Sequence, residues 1–460
     1  MHDSMFREYD IRGEVGKDFV VDDAYAFGQA LAYYMTTRNP GLKTLAVARD
    51  GRTHSPAIEK ALIQALCESG INVISIGLVP TPVLYFALFT LDIDGGVMIT
   101  ASHNPPSYNG FKLCLGTEPL SGMDIQEIKA CYRTERKSER LPVGTVTKYD
   151  CTTDYINWLH KHFNDLIGND IAAVIDCANG AAGAVIPQLV YKMQWKNVKV
   201  LHANVDGAFP NHEADPTTLE NMRDIKRAIE TEEYNIGFGL DGDGDRLGVL
   251  LPDGTLLAND ILLSIFSSEV AKKHPAGVIV YDVKTSRALI DHLETIGARG
   301  IMASVGHTNI KRIMKKHNAL LGGELSGHFF FRDRYFGFDD GIYALMRVLE
   351  LMVGDACWHE EVCEIFQKWY TSPEIRVDCR EEKKKEVVDV IKSHYATKQG
   401  YNVCDIDGVR IDTPDGWALI RASNTQPKLS LRFEARDEDT LEQFKSAFSA
   451  ILHKHNITGI

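Results

Sequence analysis

Short apolar, β-branched runs alternate with amphipathic stretches along most of the chain. This spacing predicts α/β units, in which a buried strand is followed by a helix with one apolar face. Strand–turn–helix openings fall at 45–66 (LAVARDGRTHSPAIEKALIQAL), 172–190 (AAVIDCANGAAGAVIPQLV) and 277–293 (GVIVYDVKTSRALIDHL). Each has an aspartate at the end of its strand: Asp50, Asp176 and Asp282. A second strand follows in each (NVISIGLVPTP, VKVLHANVDG, IMASVGHTNI), then a third that runs into a polar loop (GVMITASHNP, IGFGLDGDGDR, LLGGELSGHFF). The pattern predicts three copies of one α/β module. Each copy carries its polar loop at the carboxyl end of a strand, where open α/β sheets place ligands.

The pattern changes after residue 367. EEKKKEVVDVIKSHY reads as a helix, GVRIDT, GWALIRAS and KLSLRFEA as successive strands, and Leu441, Phe444, Phe448 and Ile451 share one helical face. This is expected to be a small α+β domain, with REEKKKE on its solvated surface. A chain of 460 residues is too long for one core. The expected domains are 1–146, 147–255, 256–367 and 368–460.

A net charge of −13 argues against a nucleic-acid partner. It leaves phosphate ligands open, because a few Arg and Lys can reverse the sign of one pocket. The nine cysteines are scattered without a CxxC pair and read as free thiols in a reducing cytoplasm. The start, MHDSMFREYDIRG, has no apolar signal core, and no run approaches the roughly 18 apolar residues of a membrane helix. A cytoplasmic protein without a membrane partner, monomeric or homodimeric, is expected.

The polar loops supply the chemistry. In LDGDGDRLG, Asp241, Asp243 and Asp245 alternate with glycines. In extended backbone alternate side chains share a side, so the three carboxylates converge and need a cation between them. Oxygen ligands alone suit Mg²⁺ or Ca²⁺. An EF-hand is excluded, because its sixth and twelfth positions hold Arg246 and Pro252 rather than Gly and Glu. Gly237, Gly239 and Gly242 spell GxGxxG, but the segment runs into a further strand, not a helix, and its carboxylates would repel a pyrophosphate.

In ITASHNPPSYNGFK, Ser102 stands beside His103 at the end of an apolar run. An acyl-transfer pair is disfavoured, since chain neighbours point apart in extended backbone and there is no G-x-S-x-G elbow. A turn-capping serine is a second reading. A phosphate carrier beside the metal is the third. Three Asp, a phosphate of about −2 and a dication leave a charge of roughly −3, so cations must complete the site. Arg12, Lys112 and Arg246 are the candidates. In GGELSGHFF, Glu324 and Ser326 suit paired sugar hydroxyls and His328 suits proton exchange. In RASNTQP, Arg421, Ser423, Asn424 and Thr425 suit a phosphate dianion.

TASHNP, DGDGDR, GELSGH and RASNTQP, in this order over the whole chain, resemble the α-D-phosphohexomutase family, specifically its phosphomannomutase/phosphoglucomutase branch. YDIRG, ARDGR, GLVPTP and VGHTNIKRIM strengthen the resemblance. It implies three tandem related α/β domains and a C-terminal α+β domain of TATA-box-binding-protein-like fold around a central cleft. It implies Ser102 as a phosphoserine that also ligates one Mg²⁺ held by Asp241, Asp243 and Asp245, with catalytic Arg12, Lys112, Arg246 and His328. Glu324 and Ser326 would hold sugar hydroxyls; Arg421, Ser423, Asn424 and Thr425 would hold the non-reacting phosphate; Tyr9, Lys284 and His307 would line the cleft. The implied activity is reversible phosphoryl transfer between O1 and O6 of mannose or glucose phosphates through a hexose 1,6-bisphosphate. A Mg²⁺-dependent sugar phosphatase and a non-catalytic sugar-phosphate binding protein are the alternatives. GELSGH and the Asn at 424 match the mannose/glucose branch rather than the glucosamine branch, with Leu325 and Gln426 departing slightly from its commonest forms.

Overall fold

A computed structural model describes residues 1–138, 142–422, 427–457 and 459. The chain forms two compact units. One comprises Met1–Leu257, Ser326–Phe329 and Phe338–Ala356; the other comprises Ala258–Leu325, Phe330–Gly337 and Cys357–Ile460.

The first sheet contains β1 (Ile11–Glu14), β2 (Thr44–Arg49), β3 (Asn72–Leu78), β4 (Gly95–Ile99), β5 (Tyr108–Leu115), β6 (Glu118–Pro119) and β7 (Val146–Lys148). Their order is β1-β5-β4-β2-β3-β7, with β6 on β5. Strands β4, β2 and β3 are parallel, and β5 returns antiparallel to β4. Strand β7 straddles the expected boundary at 146/147. The second sheet contains β8 (Ala173–Asp176), β9 (Val198–Leu201), β10 (Ile236–Leu240), β11 (Leu247–Leu250) and β12 (Leu256–Leu257), in the order β12-β11-β10-β8-β9. Again the last three are parallel and β11 is antiparallel. The third contains β13 (Val278–Asp282), β14 (Arg299–Ala303), β15 (Leu321–Gly323) and β16 (Phe329–Phe331), in the order β14-β13-β15-β16.

The three sheets therefore share one arrangement: β5-β4-β2-β3, β11-β10-β8-β9 and β16-β15-β13-β14. This is the expected threefold α/β module. Its central strands β4 (GGVMI), β8 (AVID) and β10 (IGFGL) are buried at every residue. Continuous burial without alternation is what parallel strands covered on both faces require. In the first sheet, helices Asp23–Arg38 and Ser55–Glu68 contribute Phe27, Leu31 and Leu62 to a core with Leu45, Val97 and Phe111. Each such side chain contributes roughly 1.5–3 kcal/mol on burial.

The fourth sheet is antiparallel. It contains β17 (Tyr370–Thr371), β18 (Ile375–Asp378), β19 (Asn402–Cys404), β20 (Val409–Thr413), β21 (Gly416–Ala422) and β22 (Lys428–Ala435), in the order β17-β22-β21-β20-β19, with β18 also on β22. Helix Glu438–Lys454 starts where the Asp437 carboxylate accepts from Thr440 N, satisfying a donor that the first helical turn leaves open. Its Leu441, Phe444, Phe448 and Ile451 enter the core, as their spacing predicts. The REEKKKE segment is exposed except for Lys384. Within the second unit, buried Arg410 ties this sheet to the loop after β13. It donates to the carbonyls of Val283 (2.8 Å) and Thr285 (2.7 Å) and stacks on Trp417.

Candidate active site

Strand β4 ends at Ile99 and the chain turns at once, around a buried cation. The guanidinium of Arg52 donates to the carbonyls of Ser102 (2.7 Å), Asn104 (2.6 Å), Pro105 (2.6 Å) and Tyr108 (3.0 Å). It also pairs with Asp50 at 3.1 Å. Only a guanidinium has enough donors in one plane to serve four carbonyls and a carboxylate. The loop so held places Ser102 in the left-handed region, φ +49°. For a residue with a Cβ that conformation costs on the order of 1 kcal/mol and persists only where neighbours enforce it. Thr100 Oγ1 enforces it from the other side by accepting Ser102 N at 2.9 Å.

The aspartate loop follows β10. It is not extended, contrary to the alternation argument: Gly244 N donates to Asp241 O (3.1 Å), and Gly244 lies at φ +73°. The carboxylates converge because the chain folds back on itself. One oxygen from each of Asp241, Asp243 and Asp245 lies within 4.8 Å of the others, and all three residues are fully buried. Ser102 Oγ donates to Asp241 Oδ2 at 2.7 Å. The approach of the two loops depends on Gly242, where a Cβ would stand 2.5 Å from Ser102 O. A glycine between these aspartates is thus required by close backbone approach, while Gly244 is required by its dihedral.

Charge in this pocket is balanced by Lys112 of β5. Its ammonium donates to Asp243 Oδ2 (2.7 Å) and Asp245 Oδ2 (2.5 Å). Burial works against that charge, but Asp243, Asp245 and Asp339 outweigh it and hold the lysine above its ordinary pKa. Asp243 shows the converse. Burial raises it, but Lys112 and the Thr81 hydroxyl (2.6 Å) take it well below the usual carboxylate range. Asp241 is pushed well above that range, by burial first and then by Asp245 and Asp243. Oδ1 of Asp243 and Oδ1 of Asp245 are buried without a hydrogen-bond partner. Convergent carboxylates with spare buried oxygens fit a hard dication. Lys112→Met is expected to destabilise the protein by about 3–5 kcal/mol, because buried carboxylates lose their counter-charge. Urea denaturation would show this, with the midpoint recovering in part as Mg²⁺ is added.

Further cations surround the serine. Arg12 on β1 donates to Asn104 Oδ1 (2.5 Å) and pairs with Asp10. Arg246 Nε donates to His328 Nε2 at 3.1 Å and stands 3.9 Å from Asp241. His328 thus accepts through Nε2, which puts its ring proton on Nδ1, 3.3 Å from Asp339 and 3.6 Å from Asp245. His103 is a correction. The loop at Ser102 is not extended, and His103 Nδ1 lies 3.1 Å from Ser102 Oγ. Burial, together with Arg246 and Arg12, lowers the pKa of His103 and favours the neutral ring. Tyr9, before β1, and Ser326, in the turn before His328, are half-buried.

The second unit holds another group of expected residues. Glu324, just past β15, accepts Gly306 N (2.6 Å) at the start of helix His307–His317. Val305 N donates to Asp407 (3.0 Å), and Asp407 binds Arg421 through both oxygens, at 3.2 and 3.0 Å. One chain of contacts thus runs from Glu324 through the Val305–Gly306 backbone, just before His307, to Asp407 and Arg421. Lys284, after β13, lies 4.0 Å from Glu374. Ser423, Asn424 and Thr425 lie outside the described residues.

Sequence reasoning assigned no role to Arg52, Thr81, Asn104, Asp339 or Asp407. Arg52 and Thr81 sat inside the motifs ARDGR and GLVPTP, so the signal for them was present. Asp339 and Asp407 have no local signature, because their roles come from residues distant in the chain.

The phosphoglucomutase/phosphomannomutase family matches the chain in four segments. These are its α/β/α domain I at residues 3–139, domain II at 153–254, domain III at 258–369 and its C-terminal domain at 374–451. The phosphomannomutase/phosphoglucomutase of Pseudomonas aeruginosa is 41% identical over 445 residues, covering 97% of this chain and 94% of its own. The phosphoglucomutase of Neisseria meningitidis serogroup A (strain Z2491) is 38% identical over 452 residues, covering 98% and 97%. The crystal structure of a phosphoglucomutase/phosphomannomutase family protein from Burkholderia thailandensis superposes with a TM-score of 0.89 at 34% identity, over 98% of both chains. These matches define an intramolecular phosphotransferase. The chain belongs to the phosphoglucomutase/phosphomannomutase family of α-D-phosphohexomutases, enzymes acting on hexose phosphates.

Proposed function

We propose that the chain interconverts hexose 1-phosphates and 6-phosphates of mannose, glucose or both, with Ser102 as the phosphate carrier. The supporting observation is the 2.7 Å bond from Ser102 Oγ to Asp241 within a convergent carboxylate group. Phospho-Ser102 gives its phosphoryl to the free hydroxyl of the bound sugar phosphate. The O–P bond to serine breaks, a new one to the sugar forms, and the hydroxyl proton passes by way of a base to the serine oxygen. The product is a hexose 1,6-bisphosphate, which turns round and returns its other phosphoryl to Ser102.

Asp241, Asp243 and Asp245 would hold one Mg²⁺, which, when bound, supplies positive charge to the transferring phosphoryl. Lys112 keeps Asp243 ionised. Arg12 and Arg246 face the same loop and offset the dianion. His328, fixed by Arg246, is suited to carry the hydroxyl proton. Glu324 and Ser326 take sugar hydroxyls, with His307, Lys284 and Tyr9 beside the substrate. Arg421, Ser423, Asn424 and Thr425 take the phosphate that does not react. The four domains are assigned to 1–146, 147–255, 256–367 and 368–460, and the cytoplasm is the proposed location. The nine free cysteines accord with that location, and no described helix is long and apolar enough to cross a membrane.

A coupled assay with glucose 1-phosphate and mannose 1-phosphate, with and without hexose 1,6-bisphosphate, tests the reading. Isomerisation should be stimulated by the bisphosphate and exceed release of inorganic phosphate at least about a hundredfold, a difference of about 2.7 kcal/mol in barrier. Phosphate release equal to isomerisation would make the protein a phosphatase instead.

A further inference from the structure

We infer that Asp176, His202 and His212 form a second metal site, for a zinc-type dication, sharing no ligand with the aspartate trio. Asp176 ends β8 and His202 follows β9. These strands are parallel neighbours with Asp176 paired to Leu201, and the left-handed turn at His202 (φ +47°) brings its ring back to Asp176. His212 arrives from the loop between β9 and helix Arg223–Glu232. One ligating atom from each residue lies within 4.8 Å of the others.

Hydrogen bonding identifies the atoms that need a cation. Asp176 Oδ1 accepts Ala178 N at 2.7 Å, which leaves Oδ2 for the histidines. His212 Nε2 is 3.1 Å from that oxygen and His202 Nε2 is 3.8 Å from it. His212 Nδ1 lies 2.9 Å from Glu213 O. A carbonyl only accepts, so Nδ1 carries the ring proton, and in the neutral ring Nε2 is a lone pair aimed at a carboxylate. A positive charge belongs there: a second proton or a metal ion. An Nδ1–H fixed on a carbonyl is also the arrangement that orients a metal-binding imidazole.

The spacing fits a metal. Donors about 2.1 Å from a tetrahedral zinc lie roughly 3.4 Å apart, and the observed 3.1 and 3.8 Å bracket that value. His202 turns to the same oxygen from a left-handed backbone, φ +47°, and also meets Asp224 at 3.1 Å. Two imidazoles and one carboxylate suit zinc, whereas three carboxylates suit a harder ion. Asp176 is buried and the His212 side chain is only 6% exposed, while those of His202 and Asp224 are about one-fifth exposed (19% and 21%). An ion therefore has a way in. Bound there, it would pin the 202–212 loop to the end of the second sheet.

The full-length protein is stripped with chelator and dialysed against Zn²⁺ in millimolar Mg²⁺, beside His202→Asn and His212→Gln; asparagine tolerates the left-handed backbone at 202. Circular dichroism melting confirms that each variant is folded. The wild type should retain one zinc per chain more than either variant, with affinity at that site falling about a hundredfold or more in both. Its Co²⁺ form should show visible d–d bands that both variants lack. Equal zinc retention in all three proteins, or Co²⁺ spectra showing only sulfur charge-transfer bands, would overturn the site and leave a His212–Asp176 ion pair in its place.

Discussion

Ser102→Ala is expected to leave a folded protein with mutase turnover reduced about 10⁴-fold or more, the scale seen when a covalent nucleophile is removed. The reason lies in the geometry. Ser102 Oγ is a buried hydroxyl bonded to Asp241 at 2.7 Å, beside the carboxylates that would hold the metal. Stability should change little, about 1 kcal/mol, because one hydrogen bond to a carboxylate is lost and Arg52 still holds the loop. Intact-protein mass spectrometry after incubation with a hexose bisphosphate should show one added phosphate on the wild type and none on the variant. Full turnover by Ser102→Ala, or a wild type that never takes up phosphate, would end the proposed mechanism.

Arg52→Met is expected to have the largest effect on stability, a loss of about 5 kcal/mol or more. Removing the guanidinium strands the carbonyls of Ser102, Asn104, Pro105 and Tyr108 inside the protein, each at roughly 1–3 kcal/mol, although relaxation of the loop recovers part of this. Asp50 also loses its buried partner. Arg52→Lys keeps the charge but not the planar fork, so it should restore only part of the loss. Both variants should take up phosphate poorly, because Ser102 no longer occupies its left-handed conformation. Urea midpoints and phosphate uptake would be measured together. Normal stability with normal uptake would show that the loop is held by something other than Arg52.

Much of the fold was legible because it is written locally. The apolar runs of β4, β8 and β10 are continuous, and such continuity marks parallel strands covered on both faces. The same reading found the three polar loops, since each interrupts an apolar run with residues that a core would not accept. The helix Glu438–Lys454 was legible from its apolar spacing. The geometry inside the loops was not. Their residue pattern predicts extended backbone in both the aspartate loop and the serine loop, and both are tight turns with left-handed residues, Gly244 and Ser102. Non-glycine residues adopt that conformation only when tertiary contacts enforce it, so no local pattern announces it.

The sequence by itself determined the repeated α/β module, the α+β final domain and the kinds of chemical group each loop offers. Periodicity and residue type act over a few neighbouring positions, which is why they can be read along the chain. Only the tertiary structure decided which groups meet. Ser102 and Asp241 are 139 residues apart, and their bond depends on sheet order, on the four carbonyls gathered by Arg52 and on the missing side chain at Gly242. Asp407 beside Arg421, and two histidines around Asp176, arise in the same way. Electrostatic and hydrogen-bonding partners are set by distance in space, and that distance is fixed only once the strands have paired and the loops have packed.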